Sequence, residues 1–122
     1  MFGSLNEAIR LYTNAVTGWN RTLDDLNTIA LRDYMFERCY CLREGYRPKI
    51  DNKIPARAFD QPITNKHGEA FVLNREKFAE DLKDYYVKVL RLTEDGLPPK
   101  DLLKKLGLDF VLSTLEPLGI YE

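Results

Sequence analysis

A chain of 122 residues, 44% apolar and 30% charged, has the length of one globular domain and can bury roughly two-thirds of its unfolded surface. Its 18 Lys and Arg against 19 acids leave a formal net charge of −1, which excludes a general polyanion binder of the histone type and leaves room only for local patches. No apolar run approaches the roughly 20 residues of a membrane helix, and the start, Met1-Phe2-Gly3-Ser4-Leu5-Asn6-Glu7, has no basic-then-apolar leader, so a cytoplasmic chain without a membrane partner is expected.

Leu5, Ala8, Ile9, Tyr12, Ala15, Val16 and Trp19 recur at three- and four-residue steps and predict one side of a helix over about 4–18. Ser4 and Glu7 supply a capping-box start, and Gly18 marks the end. A second start follows at Thr22, with Asp25 three residues on, for a helix over about 22–44 that stops at Gly45. Leu23, Leu26, Ala30, Tyr34 and Cys41 share one of its faces, while Ile29, Phe36 and Tyr40 lie on another. A helix apolar on two sides runs through the middle of a domain, so this is the expected central element, with the first helix packed along it.

From Tyr46 to Leu73 come Pro48, Pro55, Pro62 and Gly68 but no helical stripe. This irregular segment, 46–73, far exceeds the roughly 12–15 residues common for a loop in a compact domain. Its scattered apolar residues Ile50, Ile54, Phe59, Ile63, Phe71 and Val72 are expected to anchor it against the helices. Asn74 then caps a helix over about 74–95, with Phe78, Leu82, Tyr85, Val89 and Leu92 as a narrow stripe and Asp95-Gly96 as its end. Pro98-Pro99 sets up a short helix over about 99–106, closed by Gly107, and 109–116 forms another before Pro117. There is no internal repeat and no strand signal longer than Ala70 to Leu73. The reading is all-α: an orthogonal multi-helical domain of three long helices, one or two short C-terminal helices and a long irregular connection.

Candidate chemistry is sparse. Cys39 and Cys41 sit two positions apart, which on a helix turns them roughly 200° from each other, so they neither clasp one metal nor bond together. With His67 as the one histidine, a tetrahedral zinc site lacks ligands, and two buried free thiols are expected. His67 lies in Thr64-Asn65-Lys66-His67-Gly68, which reads as an exposed turn. Asp24-Asp25 and the Glu80, Asp81, Asp84 group lie near helix starts or on exposed faces, where a carboxylate meets the helix dipole rather than a desolvated cleft. The best anion-binding candidate is Arg43, Arg47, Lys49, Lys53 and Arg57, countered locally only by Glu44 and Asp51. It carries no glycine-rich phosphate loop and no nucleic-acid motif, so a solvated or protein-facing surface is the favoured reading, with the arginines on helix-end carbonyls or on acids of a neighbouring domain. No catalytic, cofactor-binding or metal-ligating residue is assigned.

Four stretches, in one order, carry a resemblance. These are Ala15 to Asn20 (AVTGWN), Met35 to Arg57 (MFERCYCLREGYRPKIDNKIPAR), Asp84 to Pro99 (DYYVKVLRLTEDGLPP) and Leu102 to Val111 (LLKKLGLDFV). They are similar to a Thr-Gly-Trp helix end, a Leu-Glu-Arg, Arg-Glu-Gly and Asp-x-x-x-Pro-x-Arg succession, a paired-tyrosine helix before Asp-Gly and a proline, and a closing Leu-Gly-Leu helix. In this the chain resembles, over nearly its whole length, the C-terminal part of the tungsten-dependent aldehyde ferredoxin oxidoreductase family. It departs from the pattern at Cys41, where asparagine is common, at Asn52, where a second aspartate is usual, and at Leu90-Arg91, where Gly-Trp often occurs.

The resemblance implies an enzyme that oxidises aldehydes to carboxylic acids, passing electrons from a tungsten bis-pterin through a 4Fe-4S cluster to ferredoxin. It also implies that the cluster cysteines and pterin-contacting loops lie upstream, so that neither Cys39 nor Cys41 matches a cluster position and this chain carries no cofactor. The expected role is a structural C-terminal body, inactive alone, whose partners are the remaining domains or subunit of an oxidoreductase, with ferredoxin reached only through the full enzyme. A separate copy is expected to expose an apolar patch and to form a homodimer over it. The alternative is an independent helical module that holds an anionic partner through 43–57, although nucleic acid is not the expected partner.

Overall fold

Two N-terminal caps establish the first long elements of the computed structural model, which describes residues 4–121; the start read at Met1-Phe2-Gly3 lies outside them. Helix α1 (Leu5–Thr17) begins where the Ser4 hydroxyl accepts the Glu7 amide. Only half of the expected box forms, because the Glu7 carboxylate turns to Arg10 instead. Helix α2 (Leu23–Arg43) has the full box: the Thr22 hydroxyl accepts from the Asp25 amide while the Asp25 carboxylate accepts from Thr22. Backbone bonds from Gly45 to Leu42 and from Tyr46 to Cys41 close α2 as a Schellman end, with Gly45 at φ 97 in the left-handed region.

The irregular segment contains two single-turn helices, α3 (Pro48–Asp51) and α4 (Arg57–Asp60), and a hairpin of two short strands, β1 (Ile63–Thr64) and β2 (Ala70–Phe71). The strands pair antiparallel, Ile63 with Phe71 and Thr64 with Ala70. The expected anchoring is only partly met. Ile54 and Phe59 are half-buried, but Ile50, Ile63, Phe71 and Val72 are exposed. The hairpin is held at its base, where Leu73 donates to the Ala58 carbonyl, Phe59 meets Phe78 edge-on and Arg75 pairs with Asp60 at 2.6 Å.

Helix α5 (Arg75–Asp84), capped by Asn74, runs on as a π-helix, Tyr85–Val89, and ends six residues before the expected Asp95. Leu92 then donates to the Tyr86 carbonyl at 2.8 Å, with Arg91 at φ 56 making the reversal. The wider π turn rotates the chain, so that Tyr86 is buried while Tyr85 and Val89 of the expected stripe face outward. Helix α6 (Lys100–Lys105) follows Pro99, and α7 (Leu112–Leu115) is flanked by 3-10 turns at Asp109–Val111 and Glu116–Leu118, so the last element continues through Pro117.

The core gathers around the C-terminal half of α2. Met35, Cys39 and Leu42 pack with Tyr86, Leu92, Leu103, Leu108, Val111, Leu112, Leu115 and Ile120. Thus α2 is the central element, but its buried line runs through Met35 and Leu42, while Ile29, Phe36 and Tyr40 face solvent. The molecule is mostly helical, with this one small hairpin among the described residues. Among them, no helix is long and apolar enough to cross a membrane.

The expectation for α1 is corrected. It contacts α2, yet it has no buried residue, and Leu5, Ile9, Tyr12 and Val16 are all exposed. Its attachment is polar: Asn14 donates to the Arg21 carbonyl at 2.9 Å and accepts from the Arg21 amide at 3.0 Å. This clasp at the turn fixes which side of α1 faces inward, and the apolar side is left outside.

Gly96 shows how closely the C-terminal loop approaches. At φ +76, a Cβ added there lies 3.0 Å from the Pro48 Cβ and 3.1 Å from the Tyr86 ring. Gly96→Ala is therefore expected to destabilise the fold by about 2–3 kcal/mol in urea titration. Gly68→Ala, at a hairpin tip with no neighbour within 4 Å, is expected to cost about 1 kcal/mol.

Candidate functional site at the basic junction

The five cations read as an anion-binding group do not converge. Arg47 turns back on the end of α2 and donates to the Leu42 carbonyl at 2.8 Å and to the Tyr46 carbonyl at 2.9 Å. Its amide donates to the Asp51 carboxylate, which caps α3. Arg43 pairs with the adjacent Glu44 at 2.8 Å and lies over the Tyr40 ring. Lys49 reaches Asp95 at 3.0 Å, tying the corner to the loop that carries Gly96. Lys53 is exposed, and so is Arg57; neither makes an ion pair among the described residues.

The corner's polar network uses residues outside that group. Tyr46 donates to the Asn52 side-chain carbonyl, and the Asn52 amide group donates to the Tyr86 hydroxyl. Arg38 lies over the Tyr46 ring and donates to the Gly96 carbonyl at 3.1 Å. Pro48, buried at the first position of α3, completes the contact. The sequence reading marks Gly96 as a helix end and Asn52 as a departure from the family pattern, but it places neither of them, nor Arg38 or Tyr86, at this junction. The Tyr85-Tyr86 pair and the Asp95-Gly96-Leu97-Pro98-Pro99 cluster were the signals available, and both are read as ordinary helix and turn until the fold brings them to Pro48. The network has no nucleophile paired with a base. It fastens a helix end to a loop.

The remaining candidates stay apart. Cys39 is buried and Cys41 half-buried, both free, and desolvation pushes the Cys39 thiol up to about 11. Two buried thiols were expected, and one is found. His67 is exposed at the hairpin tip, where its amide donates to the Asn65 side chain. Asp25 caps α2, its carboxyl held below the usual range by the hydrogen bonds from Thr22. Asp81 and Asp84 pair along the helix with Lys77 and Lys88. A recess of about 160 Å³ between α2 and α7, bordered by Phe36, Tyr40 and Phe110, lies below the size usual for a small-molecule site.

Arg47→Ala is expected to destabilise by about 1–2 kcal/mol, because the Tyr46 carbonyl loses its side-chain partner and the Leu42 carbonyl is left to backbone amides. Lys49→Ala, which removes an exposed pair, stays within about 0.5 kcal/mol. Urea titration of both variants checks the contrast. Folding raises the Cys39 pKa, so its contribution is present below the thiol's ordinary value of 9.0 and is lost as pH rises towards about 11. Stability measured across that window in wild type falls more steeply than in Cys39→Ala.

A family model described as aldehyde ferredoxin oxidoreductase, domains 2 & 3, matches residues 3–108. The tungsten-containing aldehyde ferredoxin oxidoreductase of Pyrococcus horikoshii is 33% identical over 96 residues, covering 79% of this chain and 15% of its own length. Those of Pyrococcus furiosus and Pyrococcus abyssi are each 32% identical, covering 88% of this chain and 17% of the relative. The chain thus spans about one sixth of the length of these curated relatives.

Proposed function

Because the chain belongs to the aldehyde ferredoxin oxidoreductase family, we propose that it is the C-terminal helical body of such an oxidoreductase, a structural and subunit-contact element with no redox activity of its own. The observation that carries this reading is the match over residues 3–108 to domains 2 & 3 of the family. The corner supports it. Arg43, Arg47 and Lys49 serve the chain's own acids and carbonyls, leaving little of the basic segment to recognise a ligand.

The groups that the family implies do not fit this chain's donor set. A 4Fe-4S cluster takes four thiolates, and the chain has two cysteines, one of them buried with its thiol held protonated. Among the described residues, no three His, Cys, Asp or Glu side chains stand together to hold a metal. On this reading the tungsten named in the relatives, and any cluster that serves it, is held by the part of the oxidoreductase that has no counterpart here. Aldehyde oxidation and ferredoxin contact belong to the assembled enzyme, in the cytoplasm.

The rival reading, a module for an anionic partner, retains Lys53 and Arg57 as exposed cations. Two charges make a weak footprint for nucleic acid.

Two measurements check the proposal. Elemental analysis of the purified chain is expected to find tungsten and iron far below stoichiometric amounts, and stoichiometric metal on the folded chain would overturn it. Binding to labelled RNA is expected to be absent at all salt concentrations; a steep salt-dependent affinity would favour the rival.

A further inference from the structure

A cleft of about 530 Å³ lies between the first half of α2 and the turn that ends the π-helix. Its size falls within the range of small-molecule sites. Leu31 and Leu90, both half-buried, give it an apolar lining, and Asp24, Asn27, Tyr34 and Arg91 supply the polar groups.

Those polar groups are unspent. Among the described residues, neither the Asp24 carboxylate nor the Arg91 guanidinium makes an ion pair, with the other or with a third group. Thr28 uses its hydroxyl on the Asp24 carbonyl at 2.8 Å, but the Asn27 amide group and the Tyr34 hydroxyl are left without a partner among the described residues. The cleft beside Pro48 is the opposite case, since its lysines are taken up, Lys49 by Asp95 and Lys83 by Glu94.

The backbone supplies a second observation. Arg91, at φ 56, is the one non-glycine residue at positive φ among the described residues, a conformation that is strained for arginine and free for glycine. The reversal needs only the Leu92 amide on the Tyr86 carbonyl, which a glycine at position 91 would serve better. An arginine is therefore held there against local preference, with a side chain that bonds nothing within the chain. It also stands where the sequence departs from the pattern it otherwise resembles, so the charge is a feature of this chain.

We infer that this cleft binds a small zwitterion, an apolar α-amino acid, with its carboxylate on Arg91 and its ammonium on Asp24. A guanidinium offers a planar fork of donors that matches a carboxylate. A ligand of one sign alone would satisfy one of the two groups and be repelled by the other, whereas a zwitterion satisfies both. Asn27 can donate to the carboxylate or accept from the ammonium. Burial pushes the Tyr34 phenol above its ordinary value, so it remains a donor at neutral pH. Leu31 and Leu90 favour an uncharged, branched side chain on the ligand. The site goes beyond the structural role proposed above and does not depend on it.

Amide NMR titration of the full chain tests this with three probes of one skeleton: L-leucine, isocaproate, which lacks the ammonium, and isopentylamine, which lacks the carboxylate. Leucine is expected to shift amides around Asn27, Tyr34 and Arg91 with a dissociation constant on the order of 1 mM. The two singly charged probes are expected to bind at least about tenfold more weakly. Arg91→Gly is expected to weaken leucine binding at least about tenfold without lowering the Tm, because glycine relieves the strain that arginine bears. Asp24→Asn is expected to weaken leucine while leaving isocaproate no weaker than before. The absence of shifts around the cleft at up to about 50 mM leucine would overturn the inference. So would isocaproate binding as tightly as leucine, or leucine affinity unchanged in Arg91→Gly. None of these results alters the metal content on which the family-level reading is tested.

Discussion

The close approach of Gly96 to Pro48 and Tyr86 is the constraint on which the architecture turns. It joins three parts of the chain: the corner after α2, the π-helical end of α5 and the loop before α6. Arg38 locks the approach by donating to the Gly96 carbonyl, while Lys49 pairs with Asp95 beside it. With the loop fixed there, the chain that follows Pro98 is led back across the buried half of α2, where Leu103, Leu108 and Leu115 meet Met35 and Leu42. Tyr121 closes the same arrangement by donating to the Pro98 carbonyl at 3.0 Å.

The elements with local signals were readable. The caps at Ser4, Thr22 and Asn74 depend on residues three positions apart, and each start stands where those residues put it. Gly45 and Gly18 likewise end their helices. The π-helix was not readable, because Phe78, Leu82, Tyr85 and Val89 keep a helical stripe whether or not the last turn widens. What decides is the fit of Tyr86 beneath Gly96, a contact between distant positions. Helix α1 misled for a related reason. Its apolar period states that a face will be buried, not what buries it, and Asn14 with Arg21 turned the polar face inward.

The junction behaves similarly. That its arginines satisfy helix-end carbonyls was legible from the position of Arg47 just beyond Gly45. The Tyr46, Asn52 and Tyr86 bridge was not, since it spans 34 positions between Asn52 and Tyr86. Asn52 stands where the family resemblance leads one to expect aspartate. Its side chain accepts from Tyr46 and donates to Tyr86, whereas a carboxylate at this position would accept from both hydroxyls.

The uneven distribution of buried side chains divides the molecule into parts of unequal permanence. Amides in α2 from Met35 onward, and those in α6 and α7, open only when the core comes apart, so their protons exchange last. Helix α1 touches α2 but buries no residue of its own and is tied mainly by the Asn14 clasp at the turn, so it is expected to open first, while the core around Met35 and Leu42 stays folded. The fold thus carries its first helix as an independently opening unit, whose local free energy is set less by this chain than by whatever it lies against.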